Sequence, residues 1–250
     1  MEQDLFNQVK PDLRKAIIIG ASSGIGKELA TILVTKGYKV GITGRREELL
    51  KAMKESYPDL ICYQSFDITD LSKTTRSLQM LIKELGGLDL LVVSAGVGFI
   101  NEDLDISPQL ETIATNVTAF TDIMSYGFTW FRKKKAGHLV GITSIAALRG
   151  NKRAPSYNAS KAYQVNYLEG LRHKAGELKL PITVTDVRPG FVRTHMAKGD
   201  NLFWVASPEK AAWQIYKAIL KKKRVVYVTR RWWIFAFLVR LAPGWFLEKF

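Results

Sequence analysis

The stretch "KAIIIGASSGIGKELATILVTKG" (15–37) decides the fold. It opens on an apolar, β-branched run, 15–20, of the length of a buried strand, and from Gly24 it reads as a helix closed by Gly37. Between the two, Gly20, Gly24 and Gly26 stand in GxxxGxG spacing. A strand that turns through glycines into a helix aims the helix's free N–H groups at the turn and makes an anion site. Gly20 permits the tight turn, Gly24 lets the backbone approach a pyrophosphate, and Gly26 lets helix and strand pack closely. A βα turn with no ligand would use glycine in the same way.

Outward from this unit the pattern repeats. Strands are expected at 38–44, 60–66, 88–96, 138–144, within 181–190 and at 224–228. Helices are expected at 46–56, 71–86, 107–132, 155–178 and 207–221. Because the strands are apolar on both faces, helices must cover both sides of the sheet. The alternation implies an α/β fold: one Rossmann-type, doubly wound parallel sheet. No linker or repeat divides the chain, so residues 1–229 form one domain and 230–250 its apolar and basic helical extension.

Lys and Arg number 37 against 23 acidic residues, a net charge of +14. Such an excess serves solubility or a polyanionic partner. The basic runs "FRKKK" (131–135) and "KKKR" (221–224) lack interleaved aromatic residues and fit helix C-termini better than nucleic acid. The lone Cys62, in an apolar strand, reads as a buried thiol and fits a reducing compartment. No secretory signal opens the chain, and the longest apolar run, 232–239, is far below the ~20 residues of a spanning helix. These features point to the cytoplasm. His138, His173 and His195 are scattered and make no metal site, although His195 adjoins the candidate site.

At the exit of the second expected strand stands "TGRREE" (43–48). A binder of NAD usually presents an acid there, whereas Arg45 and Arg46 would pair with a 2′-phosphate or simply open the next helix in solvent. The pair points to NADP(H). "SYNASKAY" (156–163) supplies Tyr157 and Lys161 on one helix face, where an ammonium favours the phenolate and brings a phenol toward neutral-pH acid–base work. Alone, that pair is a weak pattern.

Taken with Ser144 in "GITSIAA", thirteen residues upstream of Tyr157, Asn116 in "TNVTAF" and the turn "RPGFVRT" (188–194), these motifs make the chain resemble the short-chain dehydrogenase/reductase family. The resemblance runs to about residue 228. It implies hydride transfer between NADP(H) and a carbonyl or alcohol. Tyr157 would serve as acid, Ser144 as hydrogen-bond donor to the carbonyl oxygen, and Lys161 would tune Tyr157 and bind ribose. Asn116 would order a water that relays protons to Lys161. It also implies cofactor contacts from Gly20, Ser22, Ser23, Gly24, Ile25, Gly26, Asp67, Ile68, Ser94, Gly96, Pro189, Gly190, Val192 and Thr194. Asp67 would meet adenine, although it suits a helix cap as well. Two positions depart from the family: Ile19 precedes the first glycine in place of Thr, and Ser94 replaces an Asn.

A non-enzymatic dinucleotide-binding protein is the alternative, but the four catalytic positions are all filled. Val97, Phe99, Leu148, Met196, Phe203 and Trp204 would make an apolar pocket for a hydrophobic or lipid-like ketone or secondary alcohol. Homo-oligomerisation, as dimer or tetramer, is expected through the helices at 107–132 and 155–178, the first offering Ile113, Val117, Phe120, Ile123 and Met124. Residues 221–250 hold eight Lys or Arg and one Glu around an aromatic core, so the tail is open to three readings: a peripheral membrane contact, a subunit contact or a pocket wall.

Overall fold

The computed structural model describes residues 13–194, 203–241 and 243. Strand β1 (Arg14–Ile19) runs through the middle of the sheet. Its alternate residues divide between two cores: Ala16 and Ile18 face one, Ile17 and Ile19 the other, all fully buried. Helix α1 (Gly24–Thr35) returns the chain to β2 (Tyr38–Gly44), α2 (Glu47–Ser56) to β3 (Ile61–Ser65), and α3 (Leu71–Leu85) to β4 (Leu90–Val93). Two helices, α4 (Ile106–Ile113) and α5 (Phe120–Lys134), precede β5 (Gly137–Ile142). Then come α6 (Pro155–Glu177), β6 (Ile182–Pro189), α7 (Pro208–Leu220), β7 (Val225–Val228) and α8 (Trp232–Leu241).

Among the described residues seven strands form one parallel sheet, in the order β3-β2-β1-β4-β5-β6-β7. Helices α1, α2 and α7 cover one face and α3, α5 and α6 the other, which is the doubly wound architecture expected. The order reverses between β1 and β4. Connections leave in opposite directions there, and a crevice opens at the carboxyl ends of the strands.

The expected helix at 107–132 is continuous but not uniform. Between α4 and α5, residues Ala114–Ala119 make wider π-helical turns, and Asn116 sits inside them. Such turns inside an α-helix are frequent at functional sites. Three of the five residues offered for a subunit contact, Phe120, Ile123 and Met124, are instead core, packed beneath the sheet; Ile113 is exposed and Val117 half-buried. Cys62 is buried, which pushes its thiol up to about 12.

The basic runs do lie at helix ends. Arg132, Lys133 and Lys134 occupy the last turn of α5, where Lys134 pairs with Asp89, and Lys221 closes α7. No helix among the described residues is long and apolar enough to cross a membrane.

Candidate active site

The crevice is a cleft of about 1590 Å³, larger than a single small ligand requires. Of the residues singled out from the sequence for the cofactor or for catalysis, all line it except Gly26 and Asn116, which lie just behind. At one end, Gly20 takes a left-handed φ of +85°, and a Cβ there would come within 2.6 Å of the Ala95 nitrogen. A Cβ on Gly26 would strike the Gly20 carbonyl oxygen at 2.0 Å. The turn is therefore closed to any other residue at both positions.

Ser23 precedes α1 without capping it, and the first turn carries no acid, so the helix presents its N–H groups to the cleft. Arg46 reaches across from the end of β2 and donates to Ser22 Oγ (2.9 Å) and Ser23 Oγ (2.6 Å). Arg45 stands 3.7 Å from Asp67. Asp67 does not cap α3, since Asp70 accepts from the Lys73 N–H in that role. Asp67 instead accepts from the Thr69 N–H and hydroxyl. Partial burial works against its charge, but these bonds and Arg45 hold the carboxyl below its ordinary value. Thr194 closes this end from above: a Cβ on Gly24 would lie 3.1 Å from its methyl group.

At the floor, Ser144 follows β5 and caps a short 3₁₀ turn (Ile145–Leu148), accepting from the Ala146 N–H at 3.0 Å. Its hydroxyl proton is thereby left for the Tyr157 phenol. Burial raises the Tyr157 pKa, and the Ser144 hydrogen bond works against the rise. The Lys161 ammonium lies over the Tyr157 ring, 5.8 Å from its centroid. Lys161 is itself 3% exposed; burial lowers it to about 8 and Asp186 opposes the fall.

Asn116 is fully buried, and its carboxamide bonds the Val97 main chain in both directions (2.9 and 2.7 Å) and Ser160 Oγ (3.0 Å). Ser160 in turn donates to the Tyr157 carbonyl at 2.7 Å. The loop after β4 is thus braced to the helix that carries Tyr157.

The short chain dehydrogenase family model matches residues 14–202, three-quarters of the chain. The chain belongs to the short-chain dehydrogenase family. Among curated relatives, an uncharacterized oxidoreductase of Myxococcus xanthus is 34% identical over 194 residues, covering 75% of this chain and 76% of that one. Another, from Mycobacterium tuberculosis, is 30% identical over 237 residues and covers 91% and 92%. Among solved structures, the closed form of serine dehydrogenase complexed with NADP+ superposes with a TM-score of 0.77. At 20% identity, over 85% of this chain and 93% of that one, it shows the shared fold.

Within this short-chain dehydrogenase, two buried residues of the site escaped the sequence reading. Gln164 is wholly buried against Lys161, and its signal was its spacing, three residues on from Lys161 along one helix face. Asp186, also wholly buried, holds Thr143 Oγ1 (2.6 Å) and Arg188 Nε (2.7 Å) beneath the floor. From the tail, Phe235 and Val239 of α8 line the far end of the cleft beside Phe99, Leu148 and Phe191. Trp232, 0% exposed, lies against the Pro189–Gly190 turn so closely that a Cβ on Gly190 would sit 2.0 Å from its ring. Phe203 and Trp204 do not line the cleft; they pack against Trp232, the first tilted and the second edge-on, with ring centroids 5.1 and 5.4 Å away. Met196 and His195 lie outside the described residues.

Proposed function

We propose that the protein is an NADPH-dependent carbonyl reductase, or in reverse an alcohol dehydrogenase, acting on a hydrophobic, lipid-like ketone or secondary alcohol. One observation carries the reaction: Ser144, Tyr157 and Lys161 meet on the floor of the same cleft whose other end offers an uncapped helix N-terminus and Arg46. The residues fit the cofactor. The free N–H groups of α1 suit a pyrophosphate, and Arg46, spanning two serine hydroxyls with no acid at the strand exit, suits a 2′-phosphate. A related fold was solved with NADP+ bound. When bound, NADPH supplies the hydride.

The chain's own part is placement and proton traffic. Tyr157 gives its phenolic proton to the carbonyl oxygen as that oxygen gains charge, and Ser144 donates a hydrogen bond to the same atom. The Lys161 ammonium stabilises the phenolate left on Tyr157 and offers a donor to the nicotinamide ribose. In the reverse direction the phenolate takes the alcohol proton.

The substrate class follows from the far wall, where Phe99, Leu148, Phe191, Phe235 and Val239 are all apolar. The other side of α8 turns Trp233, Ile234, Phe237, Leu238 and Leu241 to solvent, each more than half exposed, next to Arg230 and Arg231. An apolar helix face with flanking cations suits the headgroup layer of an anionic membrane. Assembly through α5 and α6 is part of the same reading. A dimer or tetramer by light scattering at micromolar concentration is the expected result, and a monomer would refute it.

A panel of ketones of rising chain length, followed by loss of NADPH absorbance, tests the reaction. Turnover should increase with chain length and favour NADPH over NADH. NADPH binding without turnover of any ketone would leave a dinucleotide-binding protein and no reductase. Flotation with anionic liposomes at low salt should carry the wild-type chain but not a Trp233→Ser, Phe237→Ser, Leu238→Ser variant.

A further inference from the structure

Helix α6 packs against the sheet, and the inward stripe of such a helix is ordinarily apolar. Here it reads Ser160, Lys161, Gln164, Leu168 and Ala175, with Gln164 0% exposed. A carboxamide buried that deeply is costly unless both of its ends are bonded. Both are. Gln164 Oε1 accepts from Lys161 Nζ at 3.0 Å, and Nε2 donates to the main-chain carbonyl of Asn116 at 2.8 Å. That carbonyl belongs to the π-helical turns Ala114–Ala119. Lys161 also donates to the Ile142 carbonyl at 3.2 Å. An ammonium has three N–H groups, so one remains for the cleft that Lys161 lines. Gly96 leaves room there: a Cβ on it would come 3.4 Å from Lys161 Nζ and 3.2 Å from Asn116 Oδ1.

We propose that Gln164 is a positioning residue for the reductase site: its carboxamide, wedged between Lys161 and the Asn116 carbonyl, holds the ammonium charged and aimed at the cleft, in the place where the family resemblance implied an ordered water. The inference rests on the reductase reading for its kinetic consequence, not for its electrostatics. A water in that gap would exchange and pass protons inward. A carboxamide accepts on one side and donates on the other but hands no proton on, so the proton lost by Tyr157 returns from the cleft side.

The groups that set the Lys161 charge can be named. On its own helix Tyr157 faces it. From β6 comes Asp186, which is paired with Arg188 at 2.7 Å and also interacts with Arg172 of α6. From β5 and the π-helical turns come only neutral groups, the Ile142 carbonyl and Asn116. Burial already draws Lys161 down to about 8, with Asp186 in opposition. Removing Gln164 Oε1, which accepts from the ammonium, should draw it lower.

The test titrates Lys161 in the cofactor-free protein by NMR, with lysine labelled at Cε and the signal assigned by its loss in Lys161→Arg. In Gln164→Leu the midpoint should fall by about one to two pH units, the size of one hydrogen bond to a charged group. In Gln164→Glu it should rise. With NADPH and a ketone accepted by the wild type, the alkaline limb of the kcat profile should move in the same two directions while the ketone KM stays within about twofold. If Gln164→Leu fails to fold, Gln164→Glu and Gln164→Asn carry the comparison. Unmoved midpoints in folded variants overturn the proposal. Shifted midpoints in a protein that reduces no ketone uphold the role of Gln164 and reject the reductase reading instead.

Discussion

Gly20, Arg46 and Asp67 follow three consecutive strands, so the cofactor end of the cleft is assembled from neighbouring βα units. The far end draws on Phe99, Leu148, Phe191 and Phe235, residues brought together from four separate parts of the chain. The first end is held by backbone: left-handed glycine, an open helix terminus and the order of the sheet. The second is held by side-chain packing, chiefly the aromatic group around Trp232. On the reading proposed above, one end suits a fixed cofactor and the other suits variation in substrate. The backbone end tolerates few residues, whereas the packed end can be reshaped one side chain at a time.

The largest expected effect falls where the two ends meet. Tyr157→Phe removes the phenolic proton and should lower kcat by about 10³-fold, within the usual range for a general acid, with NADPH affinity nearly unchanged by fluorescence titration. Substantial residual reduction would take Tyr157 out of its role. Next is the packed end. Trp232→Ala empties a wholly buried indole site and should cost about 3–5 kcal/mol in urea unfolding. The partly buried Phe235→Ala should leave the fold intact and raise KM for long-chain ketones alone. An equal KM increase for short ketones would mean that Phe235 does not contact the chain. The smallest effect belongs to the backbone end. Arg46→Ala should raise the NADPH KM by about tenfold or more, as for a lost charged hydrogen bond, and leave NADH untouched. Arg45→Ala should do less, since Arg45 faces Asp67 rather than the serines. The reverse ranking would reassign the 2′-phosphate site.

The difference between the ends also explains what was legible in the sequence. Strands, helices and the glycine turn follow from periodicity and local sterics, and the observed strands fall within about two residues of most expected bounds. Tyr157 and Lys161 were legible because an i, i+4 spacing carries its own geometry. Gln164 obeys the same rule, but a polar residue on an inward helix stripe looks exposed until its two buried partners are known. Ile123 and Met124 went the other way: an apolar stripe does not say which surface covers it, and here the sheet does. The tail was undecidable for a third reason. Trp232 and Phe235 face inward while Trp233 and Phe237 face out, so the same aromatic composition serves two faces of α8.

The contact between Trp232 and Gly190 has a consequence for the order in which the molecule is completed. Synthesis runs from the N-terminus, so the strands leave the ribosome before α8 does. A chain interrupted after Val228 already holds the seven described strands together with Asn116, Ser144, Tyr157 and Lys161. It still lacks the indole that backs the Pro189–Gly190 turn and the phenyl ring that walls the cleft. The ribosome therefore delivers the sheet before the wall of the cleft, and a nick before α8 acts on the far end of the cleft without touching a described strand.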